Sequence, residues 1–148
     1  MKFKNLLNSL LTTIFVMSLT CCYAQSYRTN YIKLYKIKGC HEENYTFQVY
    51  DELIVIIDNY DSTEINCPAK KEITGYTEQG DYYELWSSKF YLNRHGVNEY
   101  QKINRYIFKI HYDKRGGKLL LIIAGNDTSG VEGSKFYFTE EGYNKYCN

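Results

Sequence analysis

Over most of the chain, apolar and polar residues alternate with a period of two, the spacing of strands that bury one face. The alternation is clearest from Arg105 to Asp113. Tyr106, Phe108, Ile110 and Tyr112 share one face there, and Arg105, Lys109, His111 and Asp113 share the other, with Ile107 the single exception. The polar face predicts a solvated His111. A turn over Asp113 to Gly117 leads into Lys118 to Ala124, whose Leu119, Leu120, Leu121, Ile122 and Ile123 run without alternation. That run suits a central strand covered on both sides and hairpin-paired with its predecessor. Tyr106, Phe108, Ile110, Leu119, Leu121 and Ile123 are the expected core.

Further strands are expected through Tyr45, Phe47 and Val49, and from Leu53 to Ile57, with a bulge or bend at Asp51 and Glu52 between them. Another runs from Asp81 to Asn93, where Tyr82, Trp86, Phe90 and Leu92 share one parity. Shorter ones cover Tyr31 to Ile37, Lys71 to Thr77 and Lys135 to Thr139. Tyr27, Tyr31 and Tyr35 also stand at helical i, i+4 spacing, so a short amino-terminal helix competes with the first of these. Asn98 with Gln101 three residues later makes a capping box that predicts one helical turn over residues 99–103. About eight short strands separated by turn signals define an all-β fold, a small antiparallel barrel or sandwich.

The amino terminus follows a different pattern. Lys2 and Lys4 precede an apolar stretch from Leu6 to Leu19 that is interrupted by Asn8, Ser9, Thr12, Thr13 and Ser18. It is shorter than the roughly 20 apolar residues of a spanning helix and has the layout of a secretory signal. Small residues at Cys22 and Ala24 predict cleavage before Gln25, giving a signal peptide over 1–24 and one domain over 25–148. A bacterial lipoprotein signal lipidated at Cys21 or Cys22 is the rival reading, weakened by Cys21 where Gly, Ala or Ser normally precedes the modified cysteine. A membrane association is expected only in that case. The localisation this predicts is exported, in the periplasm or outside the cell.

Composition changes this picture little. The 148 residues carry a formal charge of +1, and loss of Lys2 and Lys4 leaves 16 basic against 17 acidic side chains. No basic footprint for nucleic acid or anionic lipid exists. The 17 tyrosines accompany an abundance of Ile, Asn and Lys, as an AT-rich genome would produce, so their number alone argues nothing.

Export gives Cys40, Cys67 and Cys147 an oxidising compartment, and three cysteines imply one bridge and one free thiol, with all three pairings open. Cys40 and His41 are adjacent but lack C-x-x-C or H-x-x-x-H spacing, so no metal is expected. His41-Glu42-Glu43-Asn44-Tyr45 begins like H-E-x-x-H without its second histidine, which leaves His41 in an exposed loop. His95 precedes a turn glycine. No nucleophile elbow, phosphate loop or dinucleotide fingerprint occurs, and no cofactor is expected. Asp51 with Glu52 and Glu140 with Glu141 read as surface charge. Asn44-Tyr45-Thr46 and Asn126-Asp127-Thr128 match the N-glycosylation pattern, meaningful only where that machinery exists.

The expectation is therefore an exported noncatalytic domain that binds a protein or small ligand of the envelope or extracellular space. Its candidate surface is Trp86 together with Asn126, Asp127, Thr128 and Ser129 in the glycine-rich loop after the most apolar strand. Trp86 also fits the core by parity with Phe90 and Leu92. The alternative is a small secreted enzyme built from distant strands, with His95 or His111 beside a carboxylate such as Asp81 or Glu84. A histidine and carboxylate in hydrogen-bond reach within a pocket would distinguish it.

Overall fold

A computed structural model describes residues 24–93, 96–114, 117–125 and 134–147, with the backbone alone over 89–93 and 96–106. Residues 1–23, which hold Cys21 and Cys22 and most of the expected signal segment, His95 and the 126–133 stretch with Asn126, Asp127, Thr128 and Ser129 lie outside the described residues. Tyr106 falls where only the backbone is described.

Among the described residues nine strands run in chain order: β1 (Gln25–Leu34), β2 (His41–Val49), β3 (Leu53–Asp58), β4 (Glu64–Pro68), β5 (Lys70–Tyr76), β6 (Tyr82–Asn93), β7 (Gly96–Tyr112), β8 (Leu119–Ala124) and β9 (Lys135–Phe138). A carboxy-terminal helix, α1, covers Glu140–Tyr146. All neighbours are antiparallel, in the order β4-β3-β2-β1-β9-β8-β7-β6-β5. The two edges of this sheet, β4 and β5, are separated only by Ala69, so one kinked length of chain borders both edges and the sheet curls into a nearly closed barrel. Pro68, the single proline, stands where pairing with β3 ends and pairing with β6 begins. A residue without an N–H suits the place where a ladder is abandoned.

The barrel interior holds Ile32, Phe47, Val49, Ile54, Ile56, Cys67, Trp86, Phe108, Ile110, Tyr112, Ile122 and Tyr137. A second, smaller core lies outside the wall, where α1 covers Leu120, Leu121, Ile123 and Phe138. This explains the unbroken apolar run of β8: one face meets the interior and the other meets the helix. A register shift between His111 and Tyr112 pairs Tyr112 with Leu119 but His111 with Leu121. Leu119 therefore points inward, whereas Leu121 and Ile123 belong to the outer core, so the expected core residues of β8 divide between its two covered faces.

Several expectations are corrected. Residues 99–103 lie within β7, not in a helical turn. The capping preference of Asn98 and Gln101 is local and weak, and backbone pairing with β6 overrides it. The bend expected at Asp51 and Glu52 is borne out: it is the β2–β3 hairpin turn, closed by the Tyr50 N–H donating to the Leu53 carbonyl at 2.9 Å. β1 starts at Gln25 and stops at Leu34, before Lys36 at φ 65°, and the competing amino-terminal helix does not form. The strand β4 and the helix α1 had no counterpart in the sequence reading. Thr139 caps α1 by accepting from the Gly142 N–H at 3.2 Å, and Glu140 and Glu141 occupy its first turn.

One disulfide joins Cys40 to Cys147 across 107 residues and ties the end of α1 to the β1–β2 turn. Among the described residues Cys67 is the free thiol, buried in the interior, where burial pushes it up to about 12.

Candidate functional site

The β3–β4 turn opens a cleft at one end of the barrel. In it the Asp58 carboxylate accepts from the Tyr60 N–H at 2.9 Å, and the Asp61 carboxylate accepts from the Thr63 N–H at 2.8 Å. The Ser62 N–H donates to the Asp58 carbonyl at 2.8 Å with Ser62 at φ 61°. Such side-chain-to-backbone bonds fix a turn without help from a core. They present Tyr60 with 97% of its surface exposed. The cleft has a volume of about 840 Å³ and is lined by Tyr31, Tyr45 and Tyr60, by Asn30, Asn44 and Asn59, and by Glu42, Glu43 and Asp58.

Its walls are held in place from behind. Asn44 Oδ1 accepts from Arg28 Nε at 2.9 Å and from Asn59 Nδ2 at 2.8 Å, and Thr46 Oγ1 donates to Asn59 Oδ1 at 3.1 Å. The Tyr45 hydroxyl donates to Glu43 at 2.9 Å, and its ring meets the edge of Tyr137 at 5.0 Å. Burial, then the Glu43 bond, raises the Tyr45 phenol far above its usual range, so it acts as a neutral donor. Tyr31 stacks on Tyr143 of α1 at 4.1 Å. Three carboxylates and no cation line the cleft among the described residues. Gly125 and Ser134, the residues flanking the glycine-rich loop, stand at this same end of β8 and β9.

At the opposite end, the interior carries a carboxylate. Glu84 is 8% exposed. Its Oε1 accepts from Lys71 Nζ at 3.1 Å and from the Tyr82 hydroxyl at 3.5 Å, while its Oε2 accepts from Trp86 Nε1 at 3.2 Å and from the Tyr112 hydroxyl at 3.4 Å. The Tyr27 hydroxyl donates onward to that of Tyr112 at 3.3 Å. Burial raises both Tyr112 and Tyr27, keeping them protonated.

A third polar group lies under α1. Asp81, 1% exposed, accepts from Lys145 and from the Tyr146 hydroxyl, the latter at 2.6 Å. Burial raises the Asp81 carboxyl, but these two donors outweigh it and hold it below the usual carboxylate range. His111 is 6% exposed, and neither ring nitrogen has a hydrogen-bond partner. The expected solvated histidine is therefore a buried one: its ring lies 6.0 Å from that of Tyr83, and its strand partner is Leu121 of the outer core. Burial, reinforced by Lys109, pushes His111 down to about 4.

Trp86 is a barrel-interior residue, 3% exposed, donating to Glu84, so the core alternative describes its position. His41 is exposed, at the first position of β2 and not in a loop. The sequence reading missed Tyr60 and the asparagine pair; the signal for the turn was Asp58-Asn59-Tyr60-Asp61-Ser62-Thr63, a run of side chains that cap their own backbone. Among the described residues, no group of three or more His, Cys, Asp or Glu is placed to hold a metal ion. Comparison with protein-family models, curated proteins and solved structures gives no match. The class that can be stated is a small antiparallel β-barrel with a helical strap, and its geometry alone carries the functional reading.

Proposed function

We propose that the chain is an exported, noncatalytic binding domain whose recognition surface is the cleft around Tyr60. One observation carries this reading: a large aromatic side chain stands almost fully exposed on a turn rigidified by its own hydrogen bonds, over a cleft of ligand-pocket size. Folding gains little from an aromatic ring left in water, whereas a rigid aromatic with two side-chain torsions is an economical binding contact. The amide and carboxylate lining suits a ligand, free or on a partner protein, that presents hydroxyl or amine groups. Export rests on the amino-terminal pattern, and the Cys40–Cys147 bridge is compatible with it. The enzyme alternative gains no support from His111, which is buried and lacks a hydrogen-bonded carboxylate.

The test is Tyr60→Ala in the mature protein, followed by amide NMR shifts on titration with neutral oligosaccharides and diamines. The variant should keep the wild-type thermal midpoint. Shifts in the parent should cluster at residues 30–31, 42–45 and 58–60 and disappear in the variant. Shifts clustered elsewhere would reject this site, and a turnover lost on His41→Ala, His95→Ala or His111→Ala in folded protein would reject the noncatalytic reading. Intact mass of the exported chain checks the start at Gln25 against a diacylglyceryl adduct on Cys21 or Cys22.

A further inference from the structure

The far end of the barrel holds a second feature, independent of the cleft. Glu84 is a buried carboxylate ringed by Tyr27, Tyr82, Tyr112 and Trp86, with the Tyr27–Tyr112 and Tyr82–Tyr112 ring centres 5.9 and 5.8 Å apart. Aromatic faces around an anion make a site for an organic cation. One cation is already there. The Lys71 ammonium sits 3.1 Å from Glu84 and 5.9 Å from the centre of the Trp86 ring. It comes from the edge strand β5, its side chain is 48% exposed, and its neighbours Lys70, Glu72, Ile73 and Thr74 all face solvent. The ammonium is thus a half-exposed side chain reaching inward, which can return to water once another cation pairs with Glu84.

The wall also has a gap. β9 pairs with β1 only from Tyr31 to Leu34 and with β8 only from Leu121 to Ala124. Beyond Phe138 the chain leaves for α1, and an open groove of about 490 Å³ remains between Ser26, Tyr27 and Arg28 on one side and Lys118 and Leu119 on the other. It reaches Tyr27, whose hydroxyl leads through Tyr112 to Glu84.

We propose that this end is a binding site for a small organic ammonium ion, which enters beside Tyr27 and takes the place of the Lys71 ammonium on Glu84. Charge balance selects the class. Withdrawal of Lys71 leaves a buried carboxylate that must regain a cation, so an ammonium ligand completes the exchange while a neutral or anionic ligand leaves the charge unpaired.

The chain has a single tryptophan, so emission excited at the indole band reports on this site directly. The probe is hexylammonium, with hexanol as the neutral isostere, titrated into the oxidised mature protein. Saturable change in Trp86 emission is expected with hexylammonium and, at the same concentrations, at least about tenfold weaker response with hexanol, the ratio worth one hydrogen-bonded charge contact. Lys71→Met removes the internal competitor and should tighten hexylammonium binding by about tenfold or more. Glu84→Gln should abolish it, and Tyr60→Ala should leave it unchanged, which separates this site from the cleft. Equal response to hexanol, or no saturable binding of hexylammonium by folded Lys71→Met, overturns the proposal. The Lys71 variant keeps the test decisive if Glu84→Gln does not fold.

Discussion

Gly142 gives a prediction whose sign depends on tertiary structure. It lies inside α1, where an isolated helix would favour alanine over glycine by about 1 kcal/mol. In the fold, a Cβ at this position would overlap the Leu120 carbonyl oxygen and stand 2.7 Å from its carbonyl carbon. Both atoms are backbone of the central strand β8 and cannot rotate away, so the helix must lift. Overpacking of this kind costs about 1 to 3 kcal/mol. Lifting also loosens the bond that the single Thr139 Oγ1 proton shares between the Leu119 and Leu120 carbonyls at 3.0 and 3.2 Å, about 1 kcal/mol at the usual net value. After subtracting the gain in helix propensity, Gly142→Ala should destabilise the protein by about 1 to 3 kcal/mol. The assay is denaturant unfolding of oxidised protein followed by Trp86 fluorescence, with a thiol count confirming that Cys40–Cys147 is intact. A variant as stable as the parent, or more stable, would refute the close docking of α1 on β8.

Two further outcomes follow from the same strap. Replacing Cys40 and Cys147 by Ser opens a bridge spanning 107 residues, and unfolding free energy should fall by about 2 to 5 kcal/mol, with fraying that begins at α1 in hydrogen exchange. His111 binds a proton near 6.5 when unfolded and near 4 in the fold, chiefly because it is buried, with Lys109 pushing the same way and Asp81 opposing. The unfolded chain therefore holds more protons between these values. Stability should be full above about pH 6.5 and decline by a few kcal/mol towards pH 4, and His111→Leu should flatten that slope, leaving the loss attributable to Asp81 at lower pH. An unchanged slope in the variant would show that His111 is solvated.

Some of this architecture is contained in the one-dimensional pattern. Period-two alternation at Tyr45, Phe47 and Val49 or at Phe108, Ile110 and Tyr112 reflects a local rule, since adjacent side chains of a strand must point to opposite faces. The strands, their antiparallel hairpins and the all-β class follow from it. The unbroken run of β8 likewise announced cover on both sides. What the pattern could not contain is which surfaces meet. Chain segments remote in sequence decide that His111 is buried, since its ring lies against Tyr83 of β6 and its strand partner Leu121 belongs to the outer core under α1. The choice of Cys147 as partner for Cys40 depends on the docking of α1. Glu84 shares its strand parity with Tyr82 and Trp86 and becomes an interior anion only when Lys71, Trp86 and Tyr112 converge from three strands. The cleft lies between the start of β2 and the β3–β4 turn, set side by side by the pairing of Tyr45 with Asp58, with Asn30 and Tyr31 added from β1. Burial and convergence are properties of contacts between distant residues, so a sequence specifies them only through the fold that it forms.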